Sequence, residues 1–555
     1  MKRHDVIITA IGCAIVVLTI TLSRWLGPGD LYEKDQPKTI AYTADIVLNA
    51  QWALPRDVIY QPATKPPVYN WIGAAAVWAT GSWSEWVLKF PSVLGTFITA
   101  IVVFAASLYL SWHGRPARDV LNEQNTGETP VPRRAGLLLA LLAVAVWFTF
   151  GSDVRHGSVM RLSYLARPDM LQAAFLSVAW FAAWVAIDKP NRKQSVVPAM
   201  VFWFSVTLAA LTKGPAAVMP IAFAVVYAIL QPNRLQRLSK LWWEIGIPLV
   251  VIGVGAWLYT AYQHDPQHVR QTILGAEIAD RVTNETPEGF AKPVYYSLMW
   301  FVTKAMPWGA MAIIACVCLA VARCGMGVPP VNVSNDSTRA GRPSHTALVS
   351  VALYLIVIIV LLSIPAGKRM DYLLPSFAPA AILVAWLMMS IMTRLKLPAL
   401  LPILIPICLA INLSHRHLTR FHEAKSHYTD RATAFVNEVR SHVPARERLI
   451  VIVRGKHPLP TLLGLHQGSY LTRKSFVGPV FVVMPEQKDL SAVVMSAPLP
   501  IGFDDIEDRA VSRVGLYYFA AGDVPVDRLV ALQKQVGTWT RTENPYHAPG
   551  TVYRE

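Results

Sequence analysis

Hydrophobic residues fill long stretches of this chain, and polar residues gather in the segments between them. The apolar stretches run for about 17–20 residues, the length that an α-helix needs to cross the hydrocarbon core of a bilayer. The pattern therefore predicts a polytopic α-helical membrane protein, with the lipid bilayer as its first partner. About eleven stretches are present, near residues 6–23, 91–111, 135–151, 169–187, 197–211, 215–230, 245–262, 304–322, 346–363, 373–391 and 397–414.

Basic residues between these stretches set the predicted orientation. If Lys2 and Arg3 start in the cytoplasm, every loop on that side carries Lys or Arg, as the positive-inside rule expects. No small-x-small cleavage site follows the first stretch, so we expect a retained span rather than a signal peptide. An odd number of spans places the C-terminal region outside, on the periplasmic side of a bacterial inner membrane. The predicted outer segments are 24–90, 152–168, 212–215, 264–303, 364–372 and 415–555.

The hydrophobic pattern shortens after about residue 415. Apolar runs of strand length appear at Leu449–Val453, Val480–Met484 and Val514–Ala520, and helical patterns at Tyr428–Ser441 and Val526–Val536. We therefore divide the chain into a membrane domain, residues 1–414, and a small soluble α/β or α+β domain, residues 415–555.

The first outer loop, residues 24–90, is long enough to hold structure of its own. Thr39–Asn49 and Trp71–Thr80 have helical patterns but are too short to cross a bilayer. We predict two short helices that lie flat at the membrane surface.

Composition agrees with the membrane prediction and limits the partners. Hydrophobic residues make up 54% of the chain and charged residues only 15%, against about 25% charged in soluble proteins. The net charge of +16 comes largely from the short loops between spans, so we predict no nucleic-acid partner. The five cysteines lie in or beside apolar segments, and their spacing indicates neither a disulfide framework nor a metal site.

Ionisable side chains collect on the predicted outer side, where they suggest a charged cleft at the membrane surface. Such groups are costly at the bilayer centre and less so at the interface. They include acids and cations from loops that are far apart in sequence: Asp35, Lys65, Arg167, Asp169, Lys213, Glu277, Arg281, Lys368 and Arg369.

Each of these residues also has a purely structural interpretation. Asp35 and Lys65 would lie in an ordinary polar loop with a proline turn. Lys213 would end a helix between two spans, and Lys368 with Arg369 would be snorkelling anchors at the interface. The segment Arg167–Asp169 would be a surface ion pair that caps the next helix. Glu277 and Arg281 are four residues apart and would form an ordinary helical pair. The shared side and the mixture of charges favour a functional site over these alternatives.

The mixture of cations and separated acids suits one chemistry in particular. Outside the inner membrane there is no pool of nucleotide sugars, so a sugar transferase there needs a lipid-linked sugar phosphate as donor. Lys and Arg would stabilise the charge that develops on the departing phosphate without a metal. A carboxylate would accept the proton of the attacking hydroxyl.

In their order along about residues 1–400, these motifs resemble the ArnT/PMT-like glycosyltransferases of GT-C fold, which include dolichyl-phosphate-mannose protein mannosyltransferases and lipid A aminoarabinose transferases. Asp35 matches the acid of the family's first outer loop, and Lys65–Pro67 matches its KPP. Arg167–Met170 is similar to its second acidic motif. Leu211–Pro215 matches the family's TKG turn. Its large outer loop is matched by Glu277, Arg281, Pro293, Tyr295, Tyr296 and Pro307–Trp308. Its SKRxxYLLP segment is matched by Lys368, Arg369 and Tyr372–Pro375.

The resemblance implies an inverting hexosyl- or pentosyltransferase. Its donor would be a polyprenyl phosphate sugar and its acceptor a lipid, glycan or protein hydroxyl. The implied general base is Asp35, and Asp169 is the second candidate for that role. The implied phosphate ligands are Lys65, Lys213, Arg281, Lys368 and Arg369, and the implied substrate ligands are Glu277, Tyr295 and Tyr372.

Three positions depart from the family pattern. The usual acidic pair of the first motif is Asp35–Gln36 here, Thr64 replaces the Glu before KPP of aminoarabinose transferases, and Phe290 replaces a loop His. The last two have been linked to a metal in those enzymes, so the resemblance supports neither a metal nor another cofactor here.

Two other functions are compatible with a polytopic chain. A transporter or lipid flippase would also cross the membrane many times, but such proteins tend to have inverted repeats and ionisable groups at mid-membrane, and neither is clear here. A catalytically inactive relative kept as a scaffold is the third possibility.

Overall fold

The structure is a computed structural model that describes most of the membrane domain and four strands beyond it. The described residues are 3–25, 36–56, 62–112, 132–151, 157–279, 292–323, 345–365, 367–398, 400–424, 450–454, 476–484, 491–495 and 516–520.

Fourteen of the helices in this part of the chain are labelled here. They are α1 Arg3–Trp25, α2 Gln36–Asn49, α3 Val68–Thr80, α4 Glu85–Trp112, α5 Pro132–Phe148, α6 Asp169–Asp188, α7 Val196–Lys213, α8 Val218–Ile229, α9 Trp243–His264, α10 Tyr296–Lys304, α11 Trp308–Arg323, α12 His345–Ser363, α13 Phe377–Arg394 and α14 Leu400–Ala424. Short helical turns connect them at Val159–Leu162, Lys193–Ser195, Pro215–Ala217, Arg234–Ser239, Pro266–His268 and Met370–Ser376, and Val269–Ala279 is π-helical.

Each of the eleven predicted apolar stretches falls on a helix. Within the described residues, seven helices are long and apolar enough to span a bilayer, and α10 with α11 gives an eighth if the bent pair counts as one. Three shorter apolar helices, Arg134–Phe148, Pro215–Ile229 and Ala347–Ser363, account for the rest. The predicted fold class of a polytopic helical membrane protein is confirmed.

The eighth predicted span differs from its expectation. We placed a straight helix near residues 304–322, but α10 and α11 meet at an angle of 114°. Pro307 lies at the break, and proline has no N–H to continue a helical ladder. The outer segment before it therefore includes a helix of its own.

Two helices form the centre of the membrane domain. In Asp169–Asp188 and in Met370–Arg394, 78% of the apolar segment that could cross the membrane is buried inside the protein. The corresponding share for Trp243–His264 is 17%. The central helix α6 packs against α4, α7 and α8, and α13 packs against α5 and α11. Because α6 is enclosed on most sides, polar groups at its outer end are shielded from lipid.

The first outer loop is helical where the sequence predicted it. Helices α2 and α3 both begin three residues before the predicted bounds, at Gln36 and Val68. They pack against each other, and α3 packs against α4. The two short helices thus pack on the protein, α2 on α3 and α3 on α4.

A four-stranded sheet follows in sequence. Its strands are β1 Ile450–Arg454, β2 Phe476–Met484, β3 Ser491–Met495 and β4 Leu516–Ala520, in the order β1-β2-β4-β3. The central pair β2 and β4 is parallel, with Phe481 opposite Tyr517, and the two outer pairs are antiparallel. Strand β3 was not predicted, and the predicted helices Tyr428–Ser441 and Val526–Val536 lie outside the described residues.

Candidate functional site

The outer end of α6 carries an enclosed carboxylate of the predicted site. Pro168 precedes the helix and Asp169 is its first residue, with 4% of its surface exposed. Gly95 of α4 makes this placement possible: an added Cβ there would lie 2.8 Å from backbone atoms of Met170 and Leu171. Helix α6 can therefore approach α4 closely just below Asp169.

Asp169 belongs to a row of alternating charges. The Nζ of Lys213 donates a hydrogen bond to Oδ1 of Asp169. Arg167 Nε lies 3.2 Å from Oδ2 of Asp169, and Arg167 Nη1 lies 3.0 Å from Oδ2 of Asp371. Exposed side-chain fractions within the row are 12% or less. The structural alternative of a surface ion pair at Arg167–Asp169 is thus wrong, because the pair is buried.

Lys213 is held at the end of α7 by a glycine turn. Gly214 follows it with φ +79°, in the region that favours glycine because other residues are strained there. The ammonium of Lys213 lies 4.6 Å from the centroid of the Tyr372 ring, within range of a cation–π interaction. The TKG turn and the YLLP segment thus meet over Asp169.

Lys65 reaches the same region from the first outer loop. Pro67 ends the loop and α3 begins at the next residue. Lys65 is half-buried, and its charge acts on the carboxylate of Asp169. Lys65 is thus near enough to act on Asp169, and the roles predicted for the two residues stay predictions.

The loop before Lys65 is fastened to the outer end of α9. Trp257 Nε1 donates to the carbonyl of Ala53 at 2.9 Å, and a ring nitrogen of His268 lies 3.2 Å from the carbonyl of Ala63. These contacts fix the backbone two residues before Lys65, so they position its side chain. His268 is a supporting residue that the sequence analysis missed.

Gln36 connects the first outer loop to the segment before Asp169. Its Oε1 accepts a hydrogen bond from the Ala166 backbone N–H at 2.8 Å, and the residue is fully buried. Arg24 supports the same segment from α1 by donating to the carbonyl of Tyr164 at 2.9 Å. Asp35, the predicted base, lies outside the described residues and its role stays a prediction.

Lys368 and Arg369 lie in different surroundings although they are neighbours. Lys368 is buried and donates to the carbonyls of Lys292 at 3.0 Å and Pro365 at 2.6 Å. Burial lowers the pKa of Lys368 from its ordinary value, because water no longer solvates the ammonium. Arg369 is exposed, so the snorkelling alternative fits Arg369 and not Lys368.

No contact in the described part of the chain joins the remaining predicted ligands to the charged row around Asp169. Tyr295 is 63% exposed and packs on Tyr296, with ring centroids 6.2 Å apart. Glu277 lies on the π-helical segment Val269–Ala279. Arg281 and Phe290 lie outside the described residues. The roles of Glu277, Arg281 and Tyr295 stay predictions.

Metal binding was not predicted, and it is not tested by the structure. Within the described ranges, no three His, Cys, Asp or Glu side chains converge as a metal site requires. Asp35 and the residue at position 290 fall outside those ranges, so the expectation stays open as a prediction.

Asp371 is the charged member of the row that the sequence analysis did not single out. It pairs with Arg167 across 204 residues of sequence. The only local signal was its position inside KRMDYLLP, beside residues that were predicted to bind substrate. Its partner could be identified only once the fold had joined the two segments.

Comparison with known proteins identifies distant relatives of the chain. No family model matches the chain. The undecaprenyl phosphate-alpha-4-amino-4-deoxy-L-arabinose arabinosyl transferase of Serratia proteamaculans is 22% identical over 386 residues, which cover 69% of this chain and 59% of that protein. A transferase of the same name from Proteus mirabilis is 20% identical over 356 residues, covering 64% and 55%. The chain thus spans less than two thirds of the length of these curated relatives.

Solved structures give the fold. The crystal structure of ArnT from Cupriavidus metallidurans bound to undecaprenyl phosphate matches with a TM-score of 0.58 at 14% identity, covering 82% of this chain and 84% of that one. The same protein in the apo state matches with a TM-score of 0.56 over 83% and 84%. The chain has the GT-C fold of ArnT, as its motifs predicted.

Proposed function

We propose that this chain, which has the fold of ArnT, is an inverting glycosyltransferase of the inner membrane. It would move a sugar from a polyprenyl phosphate donor to an acceptor on the periplasmic side. The observation that carries the proposal is the buried row of Lys213, Asp169 and Arg167 at the outer end of α6 and α7, with Lys65 acting on the same carboxylate. Taking these charges out of water costs free energy that an apolar core would not lose, which favours a functional use for them.

The chemistry follows from these groups. The acceptor hydroxyl attacks the anomeric carbon of the donor, a new C–O bond forms, and the bond from that carbon to the phosphate oxygen breaks with inversion. The departing polyprenyl phosphate gains negative charge as the bond breaks. Cations placed beside the phosphate bind this charge more strongly in the transition state than in the ground state, and so they accelerate the reaction.

Lys65 is the first candidate for the phosphate, since it is half-buried and reaches the site from a loop. Lys213 already donates a hydrogen bond to Asp169, which fixes its position. Its positive charge would stabilise the phosphate electrostatically from that position. Lys368 would need to exchange its two backbone carbonyl partners for phosphate oxygens. Arg369 is exposed and would meet the headgroup at the rim.

Asp35 is our candidate for the general base. Asp169 is engaged by Lys213 and Arg167 and therefore serves better as the holder of these cations. Removing a general base typically lowers the rate by about 10²–10⁴-fold. Single-turnover transfer at saturating donor should fall by that amount in Asp35→Asn. Near wild-type transfer by Asp35→Asn, with loss in Asp169→Asn, would move the assignment to Asp169.

The donor lipid and sugar are suggested by the relatives. Their name describes transfer of 4-amino-4-deoxy-L-arabinose from undecaprenyl phosphate. We propose undecaprenyl phosphate as the lipid carrier and a pentose or hexose as its sugar. The acceptor is a hydroxyl of a lipid, glycan or protein.

Turnover in detergent tests the function directly. Purified protein is incubated with undecaprenyl-phosphate-linked sugar and a hydroxyl acceptor, and release of undecaprenyl phosphate is followed by chromatography. The proposal expects release that depends on acceptor. Movement of intact lipid-linked sugar across a proteoliposome, without any release, would instead establish the transporter or flippase alternative.

A further inference from the structure

Gln172 has an amide nitrogen that forms no hydrogen bond in the described part of the chain. It lies on α6, three residues after Asp169, and only 6% of its surface is exposed. Its Nε2 is fully enclosed, and no acceptor within the described part of the chain forms a hydrogen bond with it. An enclosed N–H group without an acceptor destabilises the fold, because it has lost its water.

Two other enclosed polar groups at α6 have partners inside the protein. Ser177 Oγ donates to the carbonyl of Ala173 at 2.7 Å, and the hydroxyl of Tyr354 donates to the carbonyl of Leu176 at 3.2 Å. Ser177 and Tyr354 thus both find an acceptor in the backbone of α6. Gln172 Nε2, which lies closer to the charged row, has no such acceptor in the described part of the chain.

Two indole N–H groups farther along α6, at Trp180 and Trp184, also have no acceptor among the residues that the structure describes. Their large rings explain their presence in the core, since Trp180 stacks on Tyr354 with centroids 5.0 Å apart. A glutamine offers no comparable apolar surface, and leucine or methionine would fill the same place with no polar atom to enclose. Packing therefore accounts for the tryptophans and not for Gln172.

The position of Gln172 suggests what its amide binds. Residues three apart on a helix lie on the same face, about 5–6 Å apart at their Cβ atoms. Gln172 therefore lies one turn deeper than Asp169, on the side where Asp169 meets Lys213 and Arg167. A ligand that enters from the outer surface and reaches past the charged row would meet this amide next.

We propose that Gln172 is a substrate-binding residue whose Nε2 donates a hydrogen bond to an oxygen of the lipid-linked sugar phosphate. The inference rests on the proposed function. The oxygen belongs either to a hydroxyl of the sugar or to the phosphate, since both are strong acceptors. Either bond would supply the partner that the amide lacks.

Gln172→Leu tests the proposal, because it keeps the approximate size of the side chain and removes its polar atoms. A binding role predicts that KM for undecaprenyl-phosphate-linked sugar rises about 10-fold, the usual effect of losing one hydrogen bond of about 1.4 kcal/mol. Thermal stability of the ligand-free variant should be equal to wild type or higher, since an unsatisfied amide has been removed. Ser177→Ala on the same helix is the matched control and should change neither KM nor kcat.

A second arm separates the two oxygen sources. Binding of undecaprenyl phosphate without sugar is measured by the ligand-induced rise in Tm. An equal loss of affinity for this lipid in Gln172→Leu would assign the contact to the phosphate. An unchanged affinity, together with weakened binding of the sugar-bearing lipid, would assign it to the sugar.

Wild-type KM and binding in a stabilised Gln172→Leu protein would overturn the proposal and make Gln172 a core residue only. If that variant does not fold, Gln172→Met gives the same comparison with a more flexible chain. Absence of turnover in the wild type would count against the proposed function alone, because lipid binding by wild type and variant still tests Gln172.

Discussion

At the scale of single residues, the site is defined by how buried charges share partners. Arg167 contacts both Asp169 and Asp371, and Lys213 contacts Asp169 and the Tyr372 ring. Every charge of the row thus faces an opposite charge. Such a row stays fixed when the site is empty, which keeps the cations in place for an incoming phosphate at little reorganisation cost.

Substitutions of Arg167 and of Asp371 should have non-additive effects on the free energy of unfolding, because the two side chains contact each other. Asp371→Leu leaves the Arg167 guanidinium buried with one carboxylate instead of two, and breaking a buried pair from one side costs up to about 3–5 kcal/mol. The double variant Arg167→Met/Asp371→Leu should be less destabilised than the sum of the single variants. Thermal unfolding in detergent measures this, and additive losses would mean that the two side chains do not interact.

Lys368 should give the donor interaction a pH dependence. Its pKa lies below the ordinary value of 10.5 because it is buried. A phosphate needs the protonated ammonium, so donor affinity should fall as the pH rises through this lowered pKa, before an ordinary lysine would titrate. Unfolded chains keep the proton up to the ordinary value, so the contribution of Lys368 to stability rises with pH over the same window.

The pH profile of kcat/KM measures this effect. Lys368→Arg keeps its charge at all accessible pH values, so its alkaline decline should begin at higher pH than that of the wild type. An identical alkaline limb in the two proteins would show that Lys368 does not act on the donor.

At the scale of elements, the site depends on close packing between α4 and α6. Gly95 lets the backbones approach, and α6 carries both Asp169 and Gln172 near its start. A rigid helix end is a more accurate support for charged groups than a loop. The first outer loop is held beside Asp169 by hydrogen bonds instead: Gln36 contacts Ala166, and His268 contacts Ala63.

Gly95→Ala should therefore impair both stability and transfer. The new methyl would meet backbone atoms at 2.8 Å, which cannot rotate away as a side chain would. Overpacking of this kind typically costs about 1–3 kcal/mol, and the shift of α6 would displace Asp169. Gly255→Ala in α9 is the control, because an added Cβ there has no neighbour within 4 Å. Equal Tm and turnover in the two variants would contradict the role of Gly95.

At the scale of the whole molecule, the chain combines a GT-C membrane domain with a sheet-containing region that follows it. Eleven apolar stretches and basic inner loops favour an external C-terminus. A C-terminal alkaline phosphatase fusion should be active and a green fluorescent protein fusion dark in bacterial cells. The reverse result would mean an even number of spans.

Periodicity and motif order predicted most of this architecture, and their limits have physical causes. Span length is set by the bilayer, so the apolar stretches lie on helices, although the one near residues 304–322 is broken at Pro307. Strand β3 carries an apolar run of only four residues, AVVM, which is shorter than each run that was predicted as a strand. The pairing of Arg167 with Asp371 depends on how α6 meets the turn Met370–Ser376, which no local pattern encodes. The unsatisfied amide of Gln172 likewise depends on tertiary packing.

The central claim is that cations at the outer face stabilise a departing polyprenyl phosphate. The most direct measurement is release of undecaprenyl phosphate by wild type, Lys65→Ala and Lys193→Ala, the last removing an exposed lysine of a predicted inner loop. The account predicts that Lys65→Ala binds donor more weakly and lowers kcat by about 10²–10³-fold, while Lys193→Ala behaves like wild type. Equal turnover by the Lys65 and Lys193 variants would contradict it.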